Sequence, residues 1–491
     1  MYRFMGIYRE QLWFDSPNLA ACFLAMLIML CLGLFLDMIR RESIYCKIAA
    51  IIPATIAAAG QFLLVCTYSR GGYVAMAIGL LVMLWLSRSK WIFGFAGVFA
   101  LLLLLIENGA VRVGTIGHLS DGSIHNRLLL WRGGLAIIAD NWLSGMGLGW
   151  AIGREYTAWF QPLWLDESYL VMLNDFLTLT CGWGIFASGG ILVGVAFIFF
   201  WGWRVQRVTK SMILTGMLSS ITVFVVCGFF STMMHTEWLC IFFLASLATT
   251  LAWCIAAVVR KAVHWHWSNF GQPLLFAVAF CTIFILACQL VRGYFPYKYR
   301  REVISEGQPF EIIIATPSKI KRSIVFAVDQ LDYEWLRGKY IRNIIRPLLD
   351  EGNKVYFAEI DSGRIGLLRA GMLLSYALKD SPEPLTVIAS GIAGKQLFIS
   401  VAQNGSDKIK QIIVYNMPES WPFDDLSPMN FVERLNVPAT FITTAPDIPN
   451  RLQKRMRDQR KTVSEYIPHP QETQPVSLVF VLNSTSLYIN N

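Results

Sequence analysis

Apolar runs of roughly membrane-spanning length fill most of residues 1–300, at about 19–38, 48–66, 73–87, 91–106, 176–203, 211–230, 238–258 and 273–291. A helix needs about 20 such residues to cross the hydrocarbon. The expected fold therefore begins with a polytopic α-helical membrane bundle of about eight spans. Composition agrees, since 55% of residues are hydrophobic and 15% charged, against about 25% charged in soluble domains. The mean hydropathy is +0.49. A wholly soluble enzyme, a disordered chain and a coiled coil are excluded.

Charge divides the chain near residue 300. Residues 1–300 hold 20 Lys+Arg and 12 Asp+Glu, whereas residues 301–491 hold 22 and 21. Two domains are expected, 1–299 in the membrane and 300–491 in water. All ten cysteines lie in the first part, mostly inside apolar runs and without a CxxC pair, as small buried hydrophobes do. A disulfide framework or zinc site is not expected.

Loop charges orient the bundle. Alternate loops carry Arg40, Arg41 and Lys47, then Arg88 and Lys90, then Arg204, Arg207 and Lys210, then Arg260 and Lys261. These ten cations read as cytoplasmic. The other side then holds the long loop 107–175, the turn 231–237 and everything after 292, so the C-terminal domain is expected outside the cytoplasm. The N-terminus MYRFMGIYREQLWFDSPN is amphipathic and does not read as a cleavable signal peptide.

Five arginines oppose this pattern: Arg70, Arg112, Arg127, Arg132 and Arg154. The guanidinium fork matches phosphate oxygens bidentately, so an outward cluster suits a lipid-linked pyrophosphate. The alternative is snorkelling to headgroups or pairing with Asp121, Glu155 and Asp166. His118 and His125 share the loop, and His235 and Glu237 share the turn; all four read more simply as interfacial residues. His264 and His266 read as interface anchors beside their tryptophans.

Residues 305–491 alternate short apolar strands with amphipathic helices. Strands are expected at 323–329, 354–359, 385–389, 412–415 and 439–443, and helices at 340–350, 363–379 and 393–404. That order predicts a soluble α/β domain with a mostly parallel sheet. The basic run 451–461 (RLQKRMRDQRK) reads as a solvated face or a surface for anionic headgroups or an acidic glycan, and no nucleic-acid module accompanies it.

Four stretches in order resemble the O-antigen ligase and O-antigen polymerase family of membrane glycosyltransferases. They are Phe14-Asp15-Ser16-Pro17-Asn18-Leu19-Ala20, then Thr67-Tyr68-Ser69-Arg70-Gly71-Gly72-Tyr73, then Asn126-Arg127 with Trp131 and the run Asp140 to Gly149, then Leu173-Asn174-Asp175-Phe176-Leu177 leading into Cys181-Gly182-Trp183-Gly184. The resemblance covers roughly 11–260. It implies inverting transfer of glycan from an undecaprenyl-pyrophosphate-linked oligosaccharide, on the outer face of a bacterial inner membrane, to a glycan or lipid acceptor. Membrane lipids are the other partners, with no nucleic acid, no metal and no other cofactor. Arg70 and Arg127 would be catalytic, holding the pyrophosphate as leaving group, with Ser69, Asn126, Arg132, Arg154, Asn174 and Asp175 binding substrate. Ligases of the family carry a histidine where this chain has Leu173, so the base is open among Asp166, Glu167 and Asp175. Members usually carry further spans ahead of the Pro-Asn turn, so a longer chain or a further membrane subunit is expected to supply them.

The C-terminal domain resembles an α/β-hydrolase whose nucleophile elbow has decayed. Gly391 stands where Gly-x-Ser-x-Gly places its serine, and Asp447 and His469 would be the remaining acid and base. A non-hydrolytic domain is expected. The other function classes are a transporter or flippase of lipid-linked glycan and a non-catalytic membrane scaffold of polysaccharide export.

Overall fold

The computed structural model describes residues 2–4, 7–9, 11–106, 122–147, 149–165, 167–260, 268–304, 310–329, 338, 341–361, 363–404, 407–415, 428–442 and 463–466. Arg112, His118, Asp121, Asp166, His264, His266, Asp447, His469 and the run 451–461 lie outside the described residues. The chain divides into two compact units: Met1–Tyr156 with Ser168–Arg292, and Thr157–Glu167 with Gly293–Asn491.

The first unit begins with a backbone hairpin of β1 (Tyr2–Phe4) and β2 (Ile7–Arg9). Each expected apolar run then forms a helix. These are α1 (Pro17–Arg40), the short α2 (Ile44–Ala49) continuing into α3 (Ile51–Cys66), α4 (Arg70–Ser87) and α5 (Trp91–Leu105). After α6 (Gly122–Asp140) and α7 (Trp150–Glu155) come α8 (Asp175–Thr209), α9 (Met212–Phe230), α10 (Glu237–Val259) and α11 (Ser268–Arg292). Among the described residues, six stretches are long and apolar enough to cross a membrane by length and composition: α1, α2 with α3, α4, α8, α9 and α10. Helix α5 and the described apolar part of α11 are shorter.

Helix α1 starts where it does because Ser16 Oγ accepts from Asn18 N at 3.2 Å and Pro17 fills the first helical position. It lies in the middle of the bundle, packed on α3, α4 and α9. At its crossing with α9, Gly33 and Gly216 bring the two backbones together, and a Cβ on either would collide with the other helix. Small residues at such crossings substitute van der Waals contact for a hydrophobic drive that lipid cannot supply. At one end of the bundle Arg40 donates to the Ser87 carbonyl at 3.2 Å, and Gln206 Nε2 to the Leu86 carbonyl at 3.0 Å. Large apolar side chains such as Leu81, Phe93, Leu104 and Ile241 stand exposed on the helices, as in a protein whose solvent is lipid.

The second unit is built on an eight-stranded sheet of β3 (Tyr297–Ile304), β4 (Phe310–Pro317), β5 (Arg322–Asp329), β6 (Asn353–Ile360), β7 (Leu385–Ser390), β8 (Ile409–Tyr415), β9 (Ala439–Ile442) and β10 (Val463–Tyr466). Their order is β10-β9-β8-β7-β5-β6-β4-β3. The strands from β10 to β6 are parallel, and β4 and β3 join antiparallel at one edge. Continuous apolar burial of β5, at Ile324 to Val328, marks a strand covered on both faces. Helices α12 (Arg346–Asp350), α13 (Gly363–Asp380) and α14 (Gly391–Asn404) follow β5, β6 and β7. Leu373, Leu374, Leu397 and Val401 of α13 and α14 share a core with Val325, Val387 and Val414 of the sheet.

Three features depart from the sequence reading, the first being β10, which was not among the expected strands. The antiparallel pair β3–β4 was not among the expected strands, and β3 begins ahead of residue 300. Residues Thr157–Glu167, expected within the loop of the membrane half, group with the second unit.

Candidate functional site

Three of the four stretches meet at the end of the bundle opposite Arg40. Ser69 caps α4 by accepting from Gly72 N at 3.2 Å, and its hydroxyl donates to Asn18 Oδ1 at 2.8 Å. Asn174 caps α8 by accepting from Leu177 N at 3.0 Å, while its Nδ2 donates to the Phe229 carbonyl at 3.1 Å. Asp175 Oδ1 accepts from Met234 N at 3.0 Å, fixing the turn between α9 and α10. The next residue of α9, Phe230, lies where a Cβ on Gly71 would strike it. Both capped turns thus close on the last residues of α9.

The N-termini of α1, α4, α8 and α10 therefore share one end of the bundle. Each leaves backbone N–H groups without an intrahelical partner and carries a partial positive charge. Arg70 is the first residue of α4, half-buried, with buried Ser69 before it. Such an end favours negative charge, and Asp175 and Glu237 stand in the first turns of α8 and α10.

The residues before both caps are strained. Tyr68 has φ 49° and Leu173 has φ 47°, the left-handed region that non-glycine residues rarely occupy. Leu173 is also the position where family ligases carry histidine, a residue type enriched in that region.

The remaining stretch meets α8 lower down. Helix α8 breaks at Gly184, with φ 78° and ψ 174°. The run Trp142–Gly147 lies alongside the break: Met146 N donates to the Cys181 carbonyl and Gly147 N to the Gly182 carbonyl, each at 2.9 Å, and Ile185 N donates to the Trp142 carbonyl at 2.8 Å. A broken helix at membrane depth is tolerated when protein backbone re-satisfies it. Glycine is required on both sides, because a Cβ on Gly145 would run into the Gly182 carbonyl and one on Gly184 into that of Leu143.

Helix α6 carries Asn126 and Arg127, both half-buried, and exposed Arg132. It packs on α8 and α11, with Gly134 against Met172 and Cys181. Arg127 precedes Gly134 by seven residues and so shares its helix face. Arg292 pairs with Asp140 at 2.9 Å, tying α11 to the end of α6. Arg154 is half-buried on α7, next to buried Glu155. His235 and Glu237 are exposed in and after the turn. Among the described residues no group of His, Cys, Asp and Glu is arranged to hold a metal. The ten cysteines are free thiols.

Residues 53–192 match the family model described as O-antigen ligase. That stretch is similar to the O-antigen ligase family. The match takes in Ser69, Arg70, Asn126, Arg127, Arg132, Arg154, Asn174 and Asp175. Asn18 lies ahead of it and is joined to it by the Ser69 hydrogen bond. Sequence reasoning quoted Asn18 in a motif without giving it a role. The polar pair became visible only when α1 and α4 were brought together. Likewise the glycines at 145 and 184 are 39 positions apart in sequence and adjacent in space.

In the second unit β7 runs straight into α14 at Ser390–Gly391. Gly391 has φ 56°, yet an added Cβ there would strike the Asp329 carboxylate. Asp329, at the end of β5, accepts from Ala393 N at 2.7 Å through Oδ1. A carboxylate from the neighbouring strand fills the space into which a nucleophile would project.

Solved structures similar to this unit include an acylaminoacyl peptidase of Pyrococcus horikoshii (12% identity, TM-score 0.30, covering 41% of this chain and 42% of that one). An esterase of Pyrococcus furiosus is 13% identical, with TM-score 0.30, covering 38% of this chain and 86% of that one. A cold-adapted esterase from an Arctic intertidal metagenomic library is 12% identical, with TM-score 0.30, covering 39% and 93%. The chain thus spans less than half the length of the peptidase. A comparison with curated proteins found no match.

Proposed function

We propose that the protein is a polysaccharide polymerase or ligase that moves glycan from an undecaprenyl-pyrophosphate-linked donor to a glycan or lipid acceptor. The observation that carries this is the gathering of four helix N-termini around Ser69, Arg70 and Asn174. Hydrogen-bond donors and dipoles fixed before the reaction stabilise charge without reorganising. In the reaction the acceptor hydroxyl attacks the anomeric carbon, the bond to the pyrophosphate oxygen breaks, and undecaprenyl pyrophosphate leaves with the electron pair. Arg70, with Arg127 on the loop helix, neutralises the charge that develops on the leaving group. Ser69 and Asn174 hold the two capped turns. Asn126, Arg132 and Arg154 contact the donor from the loop, and Asp175 sets the turn facing it. The acceptor proton passes to a carboxylate of the loop or of the start of α8.

The ten cations of the opposite end orient the site outward from the cytoplasm, at the outer face of a bacterial inner membrane. The α/β unit then lies outside the cytoplasm as well, as domain 300–491 extended by β3.

The test is glycan elongation by the purified protein on lipid-linked oligosaccharide. Arg70→Ala or Arg127→Ala, at unchanged protein level, is expected to lower turnover at least about 100-fold, the loss typical of removing one preorganised charge-stabilising donor. Unchanged product would overturn the assignment. Movement of donor between leaflets without elongation would instead identify a flippase.

A further inference from the structure

The segment Thr157–Glu167 belongs by chain order to the loop that carries Arg127, Arg132 and Arg154, yet it is built into the α/β unit. Trp159 and Gln161 are fully buried, and Phe160 and Leu165 nearly so. Trp159 stacks on Tyr299 of β3, with ring centroids 4.4 Å apart and planes 5° from parallel, and Phe160 meets Phe295 edge-on at 4.8 Å.

Four alternate carbonyls of the segment are taken up by three side chains from the second unit. Tyr297 Oη donates to the Trp159 carbonyl at 2.5 Å, and Arg346 Nη1 to that of Gln161 at 2.6 Å. Arg342 donates through Nη2 to the Leu163 carbonyl at 3.2 Å and through Nη1 to that of Leu165 at 2.9 Å. Arg342 is itself only 5% exposed. Gln161 closes the segment on itself, donating to the Leu165 and Glu167 carbonyls at 2.5 and 2.7 Å and accepting from Thr157 at 3.0 Å. Buried charge-assisted bonds of this kind are costly to break, because the guanidinium is left without its partners.

We propose that the α/β unit, having lost its own nucleophile, acts as a positioning domain for the glycosyl-transfer loop. It grips Thr157–Glu167 through Tyr297, Arg342 and Arg346 and so fixes the loop residues on either side of that segment. Arg342 is a positioning residue, not a catalytic one. The role assigned to the loop rests on the glycan-transfer reading above.

The experiment uses the full-length protein in native membranes. Ala158→Cys, at a buried position of the segment, is labelled with a bulky membrane-impermeant maleimide, using the protein without that cysteine as background. The expected result is protection in the parent and at least tenfold faster labelling when Arg342→Ala and Arg346→Ala are added. Arg342→Lys, which keeps charge but not the fork, should fall between. Labelling at equal rates in parent and variant overturns the grip.

The same preparations are assayed for elongation. The released segment should lower kcat at least tenfold at unchanged protein level, with KM for the donor rising as well, because the loop residues that contact the donor lose their position. A fall in kcat together with protein level would instead mark general unfolding and overturn a positioning role. So would an unchanged kcat with the segment released. If Arg70→Ala leaves elongation intact, the glycan-transfer reading fails and the role given to the loop fails with it. The labelling result still decides whether the unit grips the segment.

Discussion

The Ser69 hydroxyl donates to Asn18 Oδ1 at 2.8 Å while accepting from Gly72 N, so one side chain joins the start of α1 to the start of α4 and sets the position of Arg70. Ser69→Ala removes the cap and leaves a part-buried acceptor without its donor. A loss of about 1 kcal/mol is expected from the cap alone. Thermal unfolding in detergent should show it, and Ser69→Thr should recover most of it. Elongation should fall further in Ser69→Ala than in Ser69→Thr at matched protein level.

Gly184 and Gly145 interlock the broken α8 with the run before α7. Gly184→Ala demands a Cβ where the Leu143 carbonyl stands and an unfavourable φ as well. It should lower folded yield and melting temperature more than Arg70→Ala, which meets no backbone. Size-exclusion profiles of the two variants from equal expression would check the order.

Leu173, with φ 47°, is held in left-handed backbone that costs an ordinary residue about 1–2 kcal/mol. Leu173→Asn should relieve part of this and raise the melting temperature, unless its half-buried side chain contributes packing of equal size. Leu173→Ala keeps the strain and loses the contacts, so it should melt lower than either.

Gly391→Ser restores the residue of a hydrolase elbow in name only. The added Cβ meets the Asp329 carboxylate, so the variant should be less stable than the parent and show no turnover of a p-nitrophenyl ester. A Gly391→Ser protein that hydrolyses ester would refute the view that Asp329 blocks the site.

Acid should weaken the α/β unit through Asp380. Burial raises its carboxyl, but Lys354 at 2.8 Å, the Tyr356 hydroxyl at 3.0 Å and Arg300 outweigh that and hold it below the usual aspartate value. A carboxyl depressed in the folded state contributes stability above its unfolded pKa, and the contribution disappears as pH falls through the folded value. Asp380→Asn should therefore lower stability at pH 7, by at most about 1 kcal/mol for a pair of this exposure. The difference from wild type should close as pH drops below about 4. Limited proteolysis of the α/β unit across pH would follow it.

Much of the molecule was legible in residue order. Eight apolar runs became helices because hydrophobic length is a local property that lipid reads directly. The strands at 323–329, 354–359 and 385–389 were visible because strands buried on both faces are continuous apolar runs. The pair β3–β4 escaped because β3, Tyr-Lys-Tyr-Arg-Arg-Glu-Val-Ile, is half-exposed and charged at an edge. The turns at Ser69 and Asn174 announced themselves as motifs, but the pairing of Asn18 with Ser69 did not. The two lie 51 positions apart, and no local pattern encodes that meeting.

The sequence by itself determined that this chain is a membrane bundle followed by an α/β domain. Those properties follow from side-chain polarity, periodicity and residue identity. Only the tertiary structure decided that the Asp329 carboxylate packs against the turn at Gly391 and that α8 is re-bonded at its break by Trp142–Gly147. It also decided that the carbonyls of the segment 157–167 are held by Tyr297, Arg342 and Arg346. Each of these depends on backbone groups from distant parts of the chain finding one another, because a carbonyl or N–H left unpaired in a buried place costs more than ordering the chain that satisfies it.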